Sequence, residues 1–313
     1  MRVAILDDYQ RVALSSADWA SLGAEVVPFH GHIPDTADLV AELRPFDVVV
    51  AMRERTPFTA ERFRLLPDLR LLVTTGMRNA SIDMAAAAAA GVTVCGTGGS
   101  GGATPELTWA LILSLVRHVP DEDRRIREGG WQQTIGFGLE GRTLGVVGLG
   151  NIGRRVAAIG RAFGMEVLAW SQNLKASAAA AAGAVAVSKD DLFDSSDVIT
   201  VHYKLSDRSV GLVGERELGL MKPTAYLVNT SRGPIVDSDA LLEALRSGAI
   251  AGAGLDVYDE EPLPGGHPLR MAPRTVLTPH LGYVTDDGYR TFYGHAVEDI
   301  AAFAAGRSIR VLT

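Results

Sequence analysis

The sequence predicts an α/β protein of two doubly wound parallel sheets, and three observations predict it. Short apolar runs alternate with helix-like stretches through both halves of the 313 residues, the pattern of strands covered on both faces by crossover helices. A chain of this length exceeds one average domain. Between the halves, GTGGSGG places five glycines from 96 to 102, a breaker of the kind that marks a crossing between domains.

Taken in order, the first half gives VAILDD, a segment through Leu22, EVVPF, a helix around Leu39 to Leu43, DVVVAM, LRLLVTT and VTVCG. The run AAAAAA at 85–90 reads as helix, because alanine has the highest helix propensity. After the glycines, Thr104 or Pro105 starts an apolar helix expected to stop at Pro120. The second series is RTLGVVGLG, EVLAWSQ, DVITVHY, TAYLVNTS, GAGLDVY and TVLTPH. Residues from Thr285 to Gly306 have helical spacing, and IRVL returns as a strand or a tail. The expected domains are 1–97 with 284–313, and an inserted 98–283.

Composition narrows the function classes. Hydrophobic residues make up 47%, yet no apolar run reaches the roughly 18 residues of a membrane span. MRVAILDDYQ meets Asp7 and Asp8 after four apolar residues, so it lacks a secretory core and a cytoplasmic protein is expected. The single Cys95 rules out an intrachain disulfide, and seven scattered histidines give no zinc-like spacing, so no metal is expected. A formal charge of −7 argues against a general grip on nucleic acid. The expected partner is a small molecule.

The stretch VVGLGNIGRRVA carries Gly148, Gly150 and Gly153 between a strand-like and a helix-like segment, the context that makes G-x-G-x-x-G informative. The first glycine permits the turn, the second lets a pyrophosphate approach the main chain, and the third lets the helix pack on the strand. The amides around Asn151 and Ile152 then open the helix toward an anion. About 20 residues on, the fingerprint expects an acid for the ribose hydroxyls. EVLAWSQNLKAS offers Ser171 there, followed by Gln172, with Lys175 close by. NAD or NADP is therefore expected, NADP being tolerated or preferred because residue 171 carries no charge. The alternative, that Ser171 caps a loop while NAD binds through other groups, stays open.

From Gly141 onward the order of motifs resembles the D-2-hydroxyacid dehydrogenases. The stretches are GRTLGVVGLGNIGRRVA, SDVITVHYKLSDRSVGLV, LVNTSRGPIVDSDALLEAL, AGLDVYDEEP and LTPHLGYVT; the N-terminal third matches more loosely, through MRERTPF and the helix after PEL. The resemblance implies two Rossmann-like domains with the active cleft between them, a hinge at the two crossings, and paired cofactor domains in a homodimer. It makes 98–283 the NAD(P)-binding domain and the rest the substrate-binding domain. The implied reaction passes a hydride between NAD(P)H and carbon 2 of a small 2-oxo or D-2-hydroxy acid.

By the same resemblance Arg232 binds the substrate carboxylate, His280 gives or takes the proton, and Glu261 is the histidine's partner, its spacing from Arg232 selecting it over Glu260. Each residue type suits its task. Guanidinium binds carboxylate through a planar fork, imidazole titrates near neutral pH, and a neighbouring carboxylate favours the imidazolium form. Thr230, Ser231 and Arg232 are implied near the nicotinamide, Asp256 at its carboxamide, His202 along the groove and Thr104 at the crossing; His202 reads also as a residue that only satisfies backbone groups at a strand end. Lys204 stands where the family has proline, which puts the path of that loop in question. In the family the loop after LRLLVTTG gives main-chain N–H groups to the substrate carboxylate; here it reads MRNASID, placing Arg78 and Asn79 beside the substrate, as MRERTPF places Arg53 and Arg55, with Tyr283 at the rim, while Arg78, Arg53 and Arg55 read equally as solvated loop arginines. Formate dehydrogenases carry an amide where Glu261 stands, which disfavours that activity. Phosphite dehydrogenase shares the three residue types, and NAD(H)-binding corepressors share the scaffold without turnover, so both remain alternatives.

Overall fold

The computed structural model describes residues 1–99 and 101–312. The chain divides into two compact units, Met1–Ser100 with Val284–Thr313, and Gly101–Tyr283. The first division falls a little beyond the expected 97/98.

In the first unit, β1 (Arg2–Ile5), β2 (Glu25–Pro28), α1 (Thr36–Leu43), β3 (Val48–Ala51), α2 (Ala60–Leu65), β4 (Leu71–Thr74), α3 (Met84–Ala89) and β5 (Thr93–Gly96) follow one another. The strands form one parallel sheet in the order β2-β1-β3-β4-β5. β3 and β4 are buried at every position, which explains why they read as unbroken apolar runs. Each fully buried valine or leucine contributes about 1.5–3 kcal/mol. Side-chain oxygens of Asp35, Thr59 and Asp83 cap α1, α2 and α3 by accepting N–H groups of their first turns. The alanine run thus begins as helix where Asp83 starts it.

The second unit opens with α4 (Ala103–Val116) and α5 (Val119–Arg127). The expected single helix to Pro120 is therefore two. α4 ends at Val116, His118 takes a left-handed φ of 52°, and Pro120 falls in the first turn of α5, where its missing N–H costs nothing. There follow β6 (Thr143–Val147), α6 (Asn151–Ala162), β7 (Glu166–Trp170), α7 (Ala176–Ala181), β8 (Val185–Ala186), α8 (Lys189–Ser195) and β9 (Val198–Val201). Then come α9 (Glu215–Leu220), β10 (Tyr226–Asn229), α10 (Ser238–Ser247), β11 (Gly252–Leu255) and β12 (Thr275–Leu277). This sheet is also parallel, in the order β12-β11-β10-β9-β6-β7-β8, with the reversal of strand order at the β6/β9 pair. In sheets of this kind ligands bind beyond the carboxyl ends of the strands at that reversal. α4 packs against α6, β10 and β11, and most of its residues are buried, so it is a core helix with its N-terminal turn at the crossing.

The chain returns to the first unit through α11 (Asp286–Ala304), capped by Thr285. On this helix the His295 ring accepts the Gly98 N–H at 3.0 Å through Nδ1. The tail IRVL forms no strand. Val311 makes one antiparallel bridge with Cys95, and Leu312 packs on the core of the first unit. Among the described residues no helix is long and apolar enough to cross a membrane.

Candidate active site

The glycine loop between β6 and α6 is built for close approach. Gly148 has φ +98°, and a Cβ there would lie 2.6 Å from the carbonyl oxygen of His202. A Cβ on Gly153 would overlap the carbonyl of Gly148, whereas one on Gly150 would meet nothing within 4 Å. The bare backbone of Gly150 thus faces open space at the start of α6, whose N-terminus has no side-chain cap. A pyrophosphate fits there, next to amides that nothing on α6 satisfies. Across the loop, Ser171 Oγ accepts the Leu149 N–H at 3.2 Å, clasping the end of β7 to the glycine loop. Gln172 and Lys175 are exposed.

Beyond β9, His202 Nε2 lies 2.9 Å from Thr200 Oγ1, while Nδ1 is buried with no hydrogen-bond partner. Burial pushes the His202 pKa down to about 3, so this ring is neutral. The loop carrying Lys204 is pinned by hydroxyls: Ser209 donates to the Lys204 carbonyl at 2.8 Å, and Ser231 to that of Tyr203 at 2.6 Å.

At the end of β10, Asn229 shapes the loop bearing Arg232, donating to the Arg232 carbonyl at 2.9 Å and accepting the Ser231 N–H at 3.0 Å. Arg232 Nη1 donates to the Ser231 carbonyl at 2.7 Å. Gly233 packs so tightly on the main chain of Tyr258 and Asp259 that no Cβ fits. The Tyr258 N–H in turn donates to Glu261 Oε1 at 2.9 Å, and Glu261 Oε2 lies 2.5 Å from His280 Nδ1. The loops carrying Arg232, Glu261 and His280 therefore interlock through Tyr258. Glu260 is exposed, and Glu261 is the residue that reaches the ring. Since both Glu261 oxygens accept, Nδ1 carries the proton, and Nε2 is left as the second ring nitrogen.

His280 sits at φ +55°, a conformation rare for a residue with a Cβ. What holds it is Asp256, fully buried at the end of β11. Asp256 Oδ1 accepts from Thr278 Oγ1 at 2.6 Å and from the Leu281 N–H at 2.7 Å; Oδ2 accepts the Gly282 N–H at 2.9 Å. Burial holds the Asp256 carboxyl above the usual carboxylate range, against the pull of these bonds and of His280. The sequence reading placed Asp256 at the coenzyme and missed its grip on the His280 loop. The Tyr283 ring meets the His280 ring edge-on, with centroids 5.4 Å apart. The Thr104 hydroxyl donates to the Gly282 carbonyl at 2.7 Å.

In the first unit, Asn79 is committed to holding loops together, its amide donating to the Arg53 carbonyl at 2.6 Å and to Thr74 Oγ1 at 2.8 Å while Oδ1 accepts the Ser81 N–H. Arg53 has φ +54° and its Nη1 donates to the Thr75 carbonyl at 3.2 Å. The Arg55 guanidinium lies over the Tyr9 ring, 4.6 Å from its centroid. Arg78 is exposed. Among the described residues no three His, Cys, Asp or Glu side chains are grouped to hold a metal ion.

Residues 109–282 match the family described as D-isomer specific 2-hydroxyacid dehydrogenase, NAD binding domain. The chain is 42% identical over 251 residues to a glyoxylate reductase of Aeropyrum pernix, covering 77% of this chain and 75% of that protein. It is 35% identical over 276 residues to a D-3-phosphoglycerate dehydrogenase of Archaeoglobus fulgidus, 87% of this chain but 52% of the relative. Among solved structures, a phosphoglycerate oxidoreductase of Vibrio cholerae o395 superimposes with a TM-score of 0.93 at 38% identity, covering 98% of this chain and 99% of that one.

Proposed function

Because this chain belongs to the D-isomer specific 2-hydroxyacid dehydrogenase family, we propose that it is the NAD(P)H-dependent reductase of a small 2-oxo acid, with glyoxylate first among candidates. The observation that carries the reading is the 2.5 Å contact between His280 Nδ1 and Glu261, on loops locked to the one bearing Arg232. Glu261 fixes the ring through Nδ1, so that Nε2 faces the reaction and passes the proton to the carbonyl oxygen. Arg232 holds the carboxylate of the acid through its fork. When bound, the reduced nicotinamide supplies the hydride.

The chain's own residues would hold that coenzyme along the carboxyl ends of the strands. Gly148, Gly150, Asn151, Ile152 and Gly153 receive the pyrophosphate, Ser171 and Gln172 the adenosine ribose, and His202, Thr104, Thr230, Ser231 and Asp256 the nicotinamide half. With an uncharged residue at 171, NADP is accepted alongside NAD. The glyoxylate reductases among the relatives support the choice of substrate class, since the chain covers most of their length.

The reading includes a homodimer through α5 and the arm that follows it. No residue of α5 is buried, and Trp131 and Ile135 are 73% and 95% exposed. α5 is acidic in its first turn and basic in its last, so two antiparallel copies pair opposite charges.

The test is loss of reduced-nicotinamide absorbance with NADH and with NADPH on glyoxylate, hydroxypyruvate and pyruvate. Turnover of at least one acid is expected. Coenzyme binding with no turnover on any of them would contradict the assignment and favour a regulator that only binds the nucleotide.

A further inference from the structure

Two oxygens lie 2.8 Å from Thr108 Oγ1: the carbonyl of Thr104, one helical turn back, and the hydroxyl of Thr230. A threonine hydroxyl has one proton and a carbonyl has none. With both contacts made at once, the Thr108 proton goes to the Thr104 carbonyl and Thr230 donates into Thr108. Thr108 is fully buried and Thr230 nearly so, so water does not compete for either bond. The same turn of α4 holds the other catalytic loop, because Thr104 Oγ1 donates to the Gly282 carbonyl. One helical turn thus ties down both the loop after β10 and the loop after β12.

We propose that Thr108 is a positioning residue: by taking the Thr230 proton it leaves Thr230 with acceptor capacity alone, so that Thr230 recognises a hydrogen-bond donor of the nicotinamide half of the coenzyme, and it fixes the loop that carries Arg232. The proposal rests on the coenzyme placement above. Without Thr108 the Thr230 proton loses its partner, and an unsatisfied buried donor is worth avoiding even at the cost of rotating the side chain.

Thr108→Val keeps the shape and removes the hydroxyl; Thr108→Ser keeps the hydroxyl. Dissociation constants for NADH and NADPH, read by tryptophan fluorescence, are compared for wild type, both variants, Thr230→Val and the double variant Thr108→Val/Thr230→Val, with thermal midpoints in parallel. Thr108→Val is expected to weaken coenzyme binding about tenfold and Thr108→Ser by no more than about twofold. In the Thr230→Val background, Thr108→Val should add nothing, because its effect passes through Thr230. Wild-type affinity in Thr108→Val, or a penalty that persists undiminished without the Thr230 hydroxyl, overturns the proposal. So does a lowered thermal midpoint with unaltered binding. Because the cycle is read on binding, a wild type that binds coenzyme but reduces no 2-oxo acid defeats the proposed function and still leaves the cycle to decide on Thr108.

Discussion

His280 is held from two sides by two carboxylates with different tasks. Asp256 sets the backbone, taking the N–H groups of Leu281 and Gly282 and the hydroxyl of Thr278; Glu261 sets the ring. A non-glycine residue at positive φ persists where its surroundings over-determine it, and these bonds supply that constraint. Ser171 is the other residue on which the proposed function turns. Its hydroxyl clasps Leu149, which places residue 171 beside the glycine loop, where the ribose is proposed to lie. Ser171→Asp should therefore weaken NADPH relative to NADH by about tenfold or more, as a carboxylate repels a 2′-phosphate. Comparing kcat/KM for the two coenzymes checks this, and an unchanged ratio would mean that residue 171 does not meet the ribose. At this scale Arg232, Glu261 and His280 are named by resemblance alone, and the contact between Glu261 and His280 is the part of that set the structure shows. The grip of Asp256 and the threonine pair of Thr108 and Thr230 were not readable, because each joins positions far apart in the chain through hydroxyls or main-chain N–H groups that leave no local pattern.

At the scale of elements, legibility followed burial. Runs such as VVVA and LLVT read as strands covered on both faces, and the structure buries them at every position. The two-residue β8 and the single bridge at Val311 are too short to carry a periodicity. Pro120 misled the reading of α4, since proline stops a helix from within but is tolerated in a first turn, and nothing local distinguishes the two cases. The substitution of Lys204 for proline raised the question of a displaced loop. The hydroxyls of Ser209 and Ser231 pin the main chain at Tyr203 and Lys204.

For the whole molecule, the exposed α5 and its arm predict association. Scattering-derived mass is expected to equal two chains, and Ile135→Asp with Trp131→Ser to give one, with coenzyme affinity retained; a wild-type mass of one chain would remove the dimer from the account. The proposed chemistry belongs to the second unit, where a guanidinium, a carboxylate and an imidazole are carried by loops after three different strands. The most direct measurement is kcat and KM of His280→Ala and Arg232→Ala on the best 2-oxo acid at saturating coenzyme. His280→Ala should lower kcat by about 10²–10⁴-fold, and Arg232→Ala should raise KM as well as lower kcat. Wild-type kcat and KM in Arg232→Ala would contradict the account.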